Sequence, residues 1–166
     1  MKLLCKMLLA SVLFWSTPSR VFADEPVDFS GDWIGTGQLT GTNGMKSACS
    51  KIRIRIHHEA RANPQVLTVK VYDASCGLFS PEWGPYPFEI REGKVYEDGE
   101  ETGTLEGNLF KSLQASGSVQ YAFNMRLVAG VSPTDDVLRS YYGTRNGLGA
   151  IVIEGDLKRS PSVSGH

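Results

Sequence analysis

The sequence predicts an all-β protein, an antiparallel up-and-down β-barrel of eight or nine strands with one disulfide. Three observations lead there. Apolar and polar residues alternate with period two, most clearly in Lys51-Ile52-Arg53-Ile54-Arg55-Ile56-His57 and Val66-Leu67-Thr68-Val69-Lys70-Val71-Tyr72, the pattern of a half-buried strand. Tight-turn signals recur between such runs, and no stretch sustains a helical period of 3.6. Hairpin connections between strands with one apolar side are compatible with a sandwich or a barrel. They favour the barrel, which leaves no open edge.

The two alternating runs form the anchor of this reading. As a hairpin centred on Arg61-Ala62-Asn63-Pro64, one register puts Ile54 opposite Val71, Ile56 opposite Val69 and Cys49 opposite Cys76. Apolar pairs then share one face and the two sulfurs the other.

The other elements follow in order. Residues 1–23 read as a signal peptide: Lys2 and Lys6 form a basic region, Met7 to Trp15 is an apolar run, and Val21-Phe22-Ala23 places cleavage after Ala23. That run is shorter than the roughly 20 residues a spanning helix needs, so no stable membrane insertion is expected after removal. The destination is secreted or periplasmic, an oxidising compartment in which Cys49 and Cys76 are expected to pair. Residues 24–28 are a mobile leader, 29–158 the barrel domain and 159–166 a polar tail.

Phe29 to Thr40 reads as a first strand, entered through Gly31 and softened by Gly35 and Gly37. After the Cys49 hairpin, residues 77–88 break the alternation with three prolines and four aromatics, which suggests a stiff loop. Trp83 and Tyr86 in it either form a lid or partner contact, or plug one end of the core. Short strands at Phe88-Glu89-Ile90 and Lys94-Val95-Tyr96 are set off by Glu92-Gly93 and Asp98-Gly99. The acidic cluster from Glu97 to Glu101 lacks calcium-loop spacing and reads as a solvated turn. Thr102 to Phe110 reads as one strand bent at Gly107, and Val119 to Leu127 as another. The last two strands flank Asn146-Gly147, with Arg139 facing Glu154 and Tyr142 facing Ile151.

The whole chain carries 17 basic and 18 acidic residues. Signal removal takes Lys2, Lys6 and Arg20 but no acid, leaving an acidic protein with no basic block, which argues against nucleic acid as a partner. No nucleophile elbow, zinc-protease helix or phosphate-cradling glycine loop is present. His57 and His58 are adjacent in a strand, so their side chains point to opposite faces. Neither an enzyme nor a cofactor or metal is expected.

Phe29 and Gly31-Asp32-Trp33 on a first strand, followed by an antiparallel meander, resemble the Gly-X-Trp signature of the lipocalin and wider calycin barrels. The resemblance implies that Trp33 closes the barrel floor. Thr134-Asp135 is similar to the second lipocalin motif, but Asp136 stands where an aromatic is usual, and the C-terminal helix with its basic residue is missing. A lipocalin-like barrel is implied rather than a true lipocalin. The chain is also similar to small secreted barrel inhibitors of bacterial proteases, which carry a Gly-X-Trp first strand and one disulfide between the next two strands. Those inhibitors insert an N-terminal segment into the enzyme, for which the candidate here is residues 24–28.

The expected function is to bind a small, largely apolar ligand in the lumen, with Trp33, Ile54, Val69, Tyr121, Phe123 and Tyr142 as candidate contacts and tyrosine hydroxyls available to a polar head group. The lumen is either open to such a ligand or simply filled by these side chains. The alternative is an inhibitor or interaction module acting on a secreted hydrolase through its loops or leader.

Overall fold

The computed structural model describes residues 25–160. The expected signal peptide, its expected cleavage point and most of the expected polar tail lie outside the described residues. Eleven strands run in order: β1 (Gly31–Gly41), β2 (Lys46–Glu59), β3 (Gln65–Ser75), β4 (Glu82–Trp83), β5 (Tyr86–Arg91), β6 (Lys94–Glu97), β7 (Glu100–Glu106), β8 (Leu109–Ser116), β9 (Val119–Val128), β10 (Val137–Asn146) and β11 (Gly149–Arg159). All pairings are antiparallel. They run β2-β1-β11-β10-β9-β8-β7-β6-β5-β3, and β3 returns to β2, so the hydrogen bonds close into a ring. The only helical element among the described residues is a short 3-10 turn at Thr42–Gly44.

The strand number differs from the expected eight or nine for two reasons. Gly107, at φ 57°, makes a true turn between β7 and β8 where a bend was expected. The Pro-rich segment also enters the sheet. Trp83 lies opposite Tyr72 and Tyr86 opposite Val69, so β4 and β5 continue one register along β3, interrupted at Gly84-Pro85. A Cβ at Gly84 would stand 2.6 Å from the Lys70 carbonyl oxygen, and its φ is 126°, so this crossing needs glycine. Pro87 is tolerated inside β5 because β6 pairs only with Glu89 to Arg91, leaving Pro87 a partner on one side alone.

Two bulges correct the anchor hairpin. Between β1 and β2, Gly35 faces Ile52 while Gly37 faces Cys49, so β2 carries an extra residue at Ser50-Lys51. The extra residue returns Cys49 to the inner face. The disulfide to Cys76 forms, but both sulfurs belong to the core, at 1% and 2% exposure, and not to the opposite face. Between β2 and β3, Ile56 faces Val69 as expected, but Ile54 faces Tyr72 and Arg55 faces Val71. The extra residue here is on β3. It turns Val71 half out of the core and puts the larger Tyr72 in.

The C-terminal hairpin also shifts. Arg139 faces Asp156, with an ion pair at 3.3 Å, and Tyr142 faces Ile153. The turn falls on Gly147-Leu148 because the Asn146 side-chain oxygen accepts the amides of Leu148 and Gly149 at 2.9 and 3.1 Å, which folds the chain one step later.

Inside the ring lies one apolar core, including Trp33, Ile52, Ile54, Val69, Phe110 and Leu157. The lower end is sealed. The Trp33 indole donates to the Phe29 carbonyl at 3.0 Å, and the Arg159 guanidinium lies 4.5 Å from the Trp33 ring centre. His58 is buried beside them and accepts the Phe29 amide at 3.4 Å, whereas His57 points outward. Val27 packs on the core and Glu25 pairs with Arg61 at 3.2 Å, so residues 25–28 run across this end. Outside, Lys51, Arg53 and Arg55 project from β2, with Asp32 bridging the two arginines and Asp73 pairing with Lys51.

Candidate functional site

The opposite end of the ring is open. Strand alternation brings one aromatic after another to its inner face: Tyr72 from β3, Trp83 from β4, Tyr86 and Phe88 from β5, Phe123 from β9 and Tyr142 from β10. Trp83 is their hub. It stacks on Tyr72 with centroids 5.0 Å apart and planes at 9°, and meets Phe123 and Tyr86 edge-on at 5.2 and 5.7 Å. Aromatic pairs favour these offset and edge-to-face geometries.

Above this layer is a cavity of about 520 Å³. Its apolar wall consists of Trp83, Tyr86, Phe88, Tyr121, Phe123 and Tyr142, and its polar wall includes Asp98, Ser112, Gln114 and Ser116. Ser112, Gln114 and Ser116 come from β8, whose inward positions run Phe110, Ser112, Gln114, Ser116 toward the mouth, and Asp98 comes from the turn after β6. The sheet interior therefore turns from apolar to polar along a single strand.

The candidate contact residues divide. Tyr121, Phe123 and Tyr142 line the cavity, with Tyr121 at the rim and 37% exposed. Trp33, Ile54 and Val69 are fully buried below it and serve as filled core. Trp83 and Tyr86 point inward, so of the two roles open to their segment they fill the end of the core and form the cavity wall.

Further groups escaped sequence reasoning, among them Tyr72, Glu97, Asp98, Ser112 and Gln114. Glu97 corrects an expectation directly, since it is 7% exposed rather than part of a solvated turn. It is the last residue of β6, two positions beyond buried Val95, so alternation from Val95 was the signal that pointed it inward. The Tyr86 hydroxyl donates to the side-chain amide oxygen of Gln114 at 3.1 Å. Burial raises the Glu97 carboxyl above the usual carboxylate range, while contacts with Tyr86 and Gln114 oppose the rise. Burial likewise raises the phenols of Tyr72, Tyr86 and Tyr142, keeping them protonated donors at neutral pH.

Among the described residues, three buried polar atoms in this region have no hydrogen-bond partner: the Tyr72 hydroxyl, the Trp83 indole nitrogen and one Glu97 oxygen. Unpaired buried groups are costly, of order 1–3 kcal/mol each. The arrangement can hold a molecule with a planar apolar body and a polar edge. Compared with known proteins, the chain matches no family model, no curated protein and no solved structure, so its functional reading rests on the chemistry of this cavity.

Proposed function

We propose that this chain is a secreted or periplasmic, lipocalin-like β-barrel that binds a small, largely apolar ligand in the mouth of its lumen. One observation carries the reading: a cavity of about 520 Å³ walled on one side by six aromatic side chains. Small-molecule sites commonly occupy roughly 300–1,000 Å³ and combine apolar walls with a few placed polar groups. The Trp33 floor, covered by Arg159, fits the structural role the lipocalin resemblance gives that residue. A core disulfide suits an oxidising compartment.

The reading is of a carrier or sensor, not an enzyme. Its polar groups are phenols, the Ser112 and Ser116 hydroxyls, the Gln114 amide and carboxylates, read as ligand contacts; the Ser112 hydroxyl is hydrogen-bonded to Thr102 and not to an acid or a histidine. The inhibitor alternative finds less support, because Trp83 and Tyr86 face inward and residues 25–28 lie against the closed end.

Native mass spectrometry of protein purified from its source, together with uptake of the neutral dye Nile red, tests this. A bound small molecule, or dye binding abolished by the rim substitution Ser116→Trp, is the expected result. A ligand-free spectrum with no dye uptake overturns it.

A further inference from the structure

The charge around the mouth cavity is one-sided. Asp98 lines it, and Glu97 lies behind the lining, in contact with Tyr86 and Gln114, which both face the cavity. Among the described residues, no lysine, arginine or histidine lines the cavity, and neither carboxylate has a basic partner. Glu97 is 93% removed from solvent by its 7% exposure and leaves one oxygen unpaired. An anion entering here would meet two acids and the negative faces of several rings.

We propose that the ligand carries a positive charge: a protonated amine on a planar, largely apolar body, with its cation directed toward Glu97 and Asp98. This rests on the cavity being a binding site and specifies what it selects. Two independent features converge on that chemistry. Aromatic faces attract organic cations, most strongly where water is excluded, and Trp83, Tyr86 and Tyr142 each present a half-buried ring. The second feature is the unpaired Glu97 oxygen, for which an ammonium supplies both a donor and a counter-charge. The burial that raises this carboxyl is offset by an incoming cation, so ligand binding returns Glu97 toward its ionised form. The same arrangement disfavours fatty acids and other carboxylates, whose head groups would need a basic residue at the mouth.

Isothermal titration calorimetry of the folded protein at pH 7 and low salt, with three probes sharing one ring system, separates this proposal from the one beneath it. The probes are 1-naphthylmethylamine, 1-naphthylmethanol and 1-naphthoate. The amine is expected to bind at least tenfold tighter than the carboxylate, with the alcohol between them. In the double variant Glu97→Gln/Asp98→Asn that preference should collapse, while binding of the alcohol persists and reports an intact cavity. A carboxylate that binds as tightly as the amine, or a preference that survives in the double variant, overturns the cation proposal and leaves the cavity reading standing. If none of the three probes binds, both fall.

Discussion

Trp83 lies flat against Tyr72, ring centres 5.0 Å apart and planes 9° from parallel, in a cross-strand pair that joins the interrupted strand β4–β5 to β3. This pair is the platform beneath the cavity, and Trp83 also touches Phe123, Tyr86 and Tyr142. Trp83→Ala should cost about 3 kcal/mol in urea unfolding, in line with large-to-small aromatic replacements, and should erase much of the near-UV circular dichroism. Trp83→Phe, which keeps a ring on Tyr72, should recover most of the stability. Equal losses for both variants would show that the stack is not what holds this segment.

The Cys49–Cys76 bridge spans a sequence separation of 27 and is wholly inside the core. Cross-linking a loop of that length stabilises by about 3.5 kcal/mol in the chain-entropy model. The paired substitution Cys49→Ala/Cys76→Ala should lower the midpoint of thermal unfolding accordingly. Because both sulfurs are buried, a mild reductant should react with the native protein only as fast as it opens. Fast thiol release under native conditions, followed by alkylation, would contradict the placement.

Two buried titratable groups give opposite pH dependences. Burial lowers the His58 imidazole below its ordinary 6.5; Asp28 and Gln65 act to raise it, and His57 to lower it further. The unfolded chain therefore takes up this proton first. Stability is fully present above pH 6.5 and is lost as pH falls toward the folded value. Glu97 has its carboxyl raised from 4.5 by burial. The folded protein holds that proton longer, so its contribution is fully present below pH 4.5 and is lost as pH rises through the folded value. His58→Gln should flatten the acid limb of a stability–pH curve. Glu97→Gln should raise the unfolding midpoint at pH 7, with the gain vanishing below pH 4.5. Parallel curves for wild type and both variants would remove the linkage.

Gly37 and Gly155 face each other across β1 and β11, and the Ile52 side chain fills the space over both. A Cβ at Gly37 would stand 2.0 Å from the Glu154 carbonyl oxygen, a backbone atom with little room to yield. At Gly155 the nearest atom is the Ile52 δ-methyl at 2.6 Å, followed by the Thr36 carbonyl oxygen at 2.8 Å. Gly37→Ala and Gly155→Ala should each destabilise by about 2 kcal/mol through overpacking. Adding Ile52→Val should restore part of the loss at Gly155 and little at Gly37. Equal rescue at both positions would show that the backbone, not Ile52, yields at Gly37.

Much of the inner surface was legible one residue at a time. Ile54, Ile56, Val69, Phe123 and Met125 lie inside because alternation within a single strand assigns faces without knowledge of neighbours. The errors begin at bulges. Ser50-Lys51 and Lys70-Val71 each insert one residue, and an inserted residue reverses every facing assignment beyond it. A hairpin read as unbroken alternation therefore placed Val71 inside and the sulfurs outside. Strand β8 hid the site itself: Leu113 is 60% exposed while Ser112 is buried, the reverse of the usual pattern, so polarity alone points its faces the wrong way. Only the pairing with β9, Ser112 opposite Phe123, turns the polar row toward the interior.

The amino-acid order alone therefore determined an antiparallel all-β chain, the pairing of Cys49 with Cys76 and the inward set of aliphatic residues, because those follow from local period and the chemistry of two thiols. Closure into a ring, the inward turn of Trp83 and the gathering of Tyr142 with Glu97, Asp98 and Gln114 around one cavity were decided by tertiary structure. Those residues come from strands that meet only when β3 returns to β2, and no local pattern in a chain encodes which distant strands share a mouth.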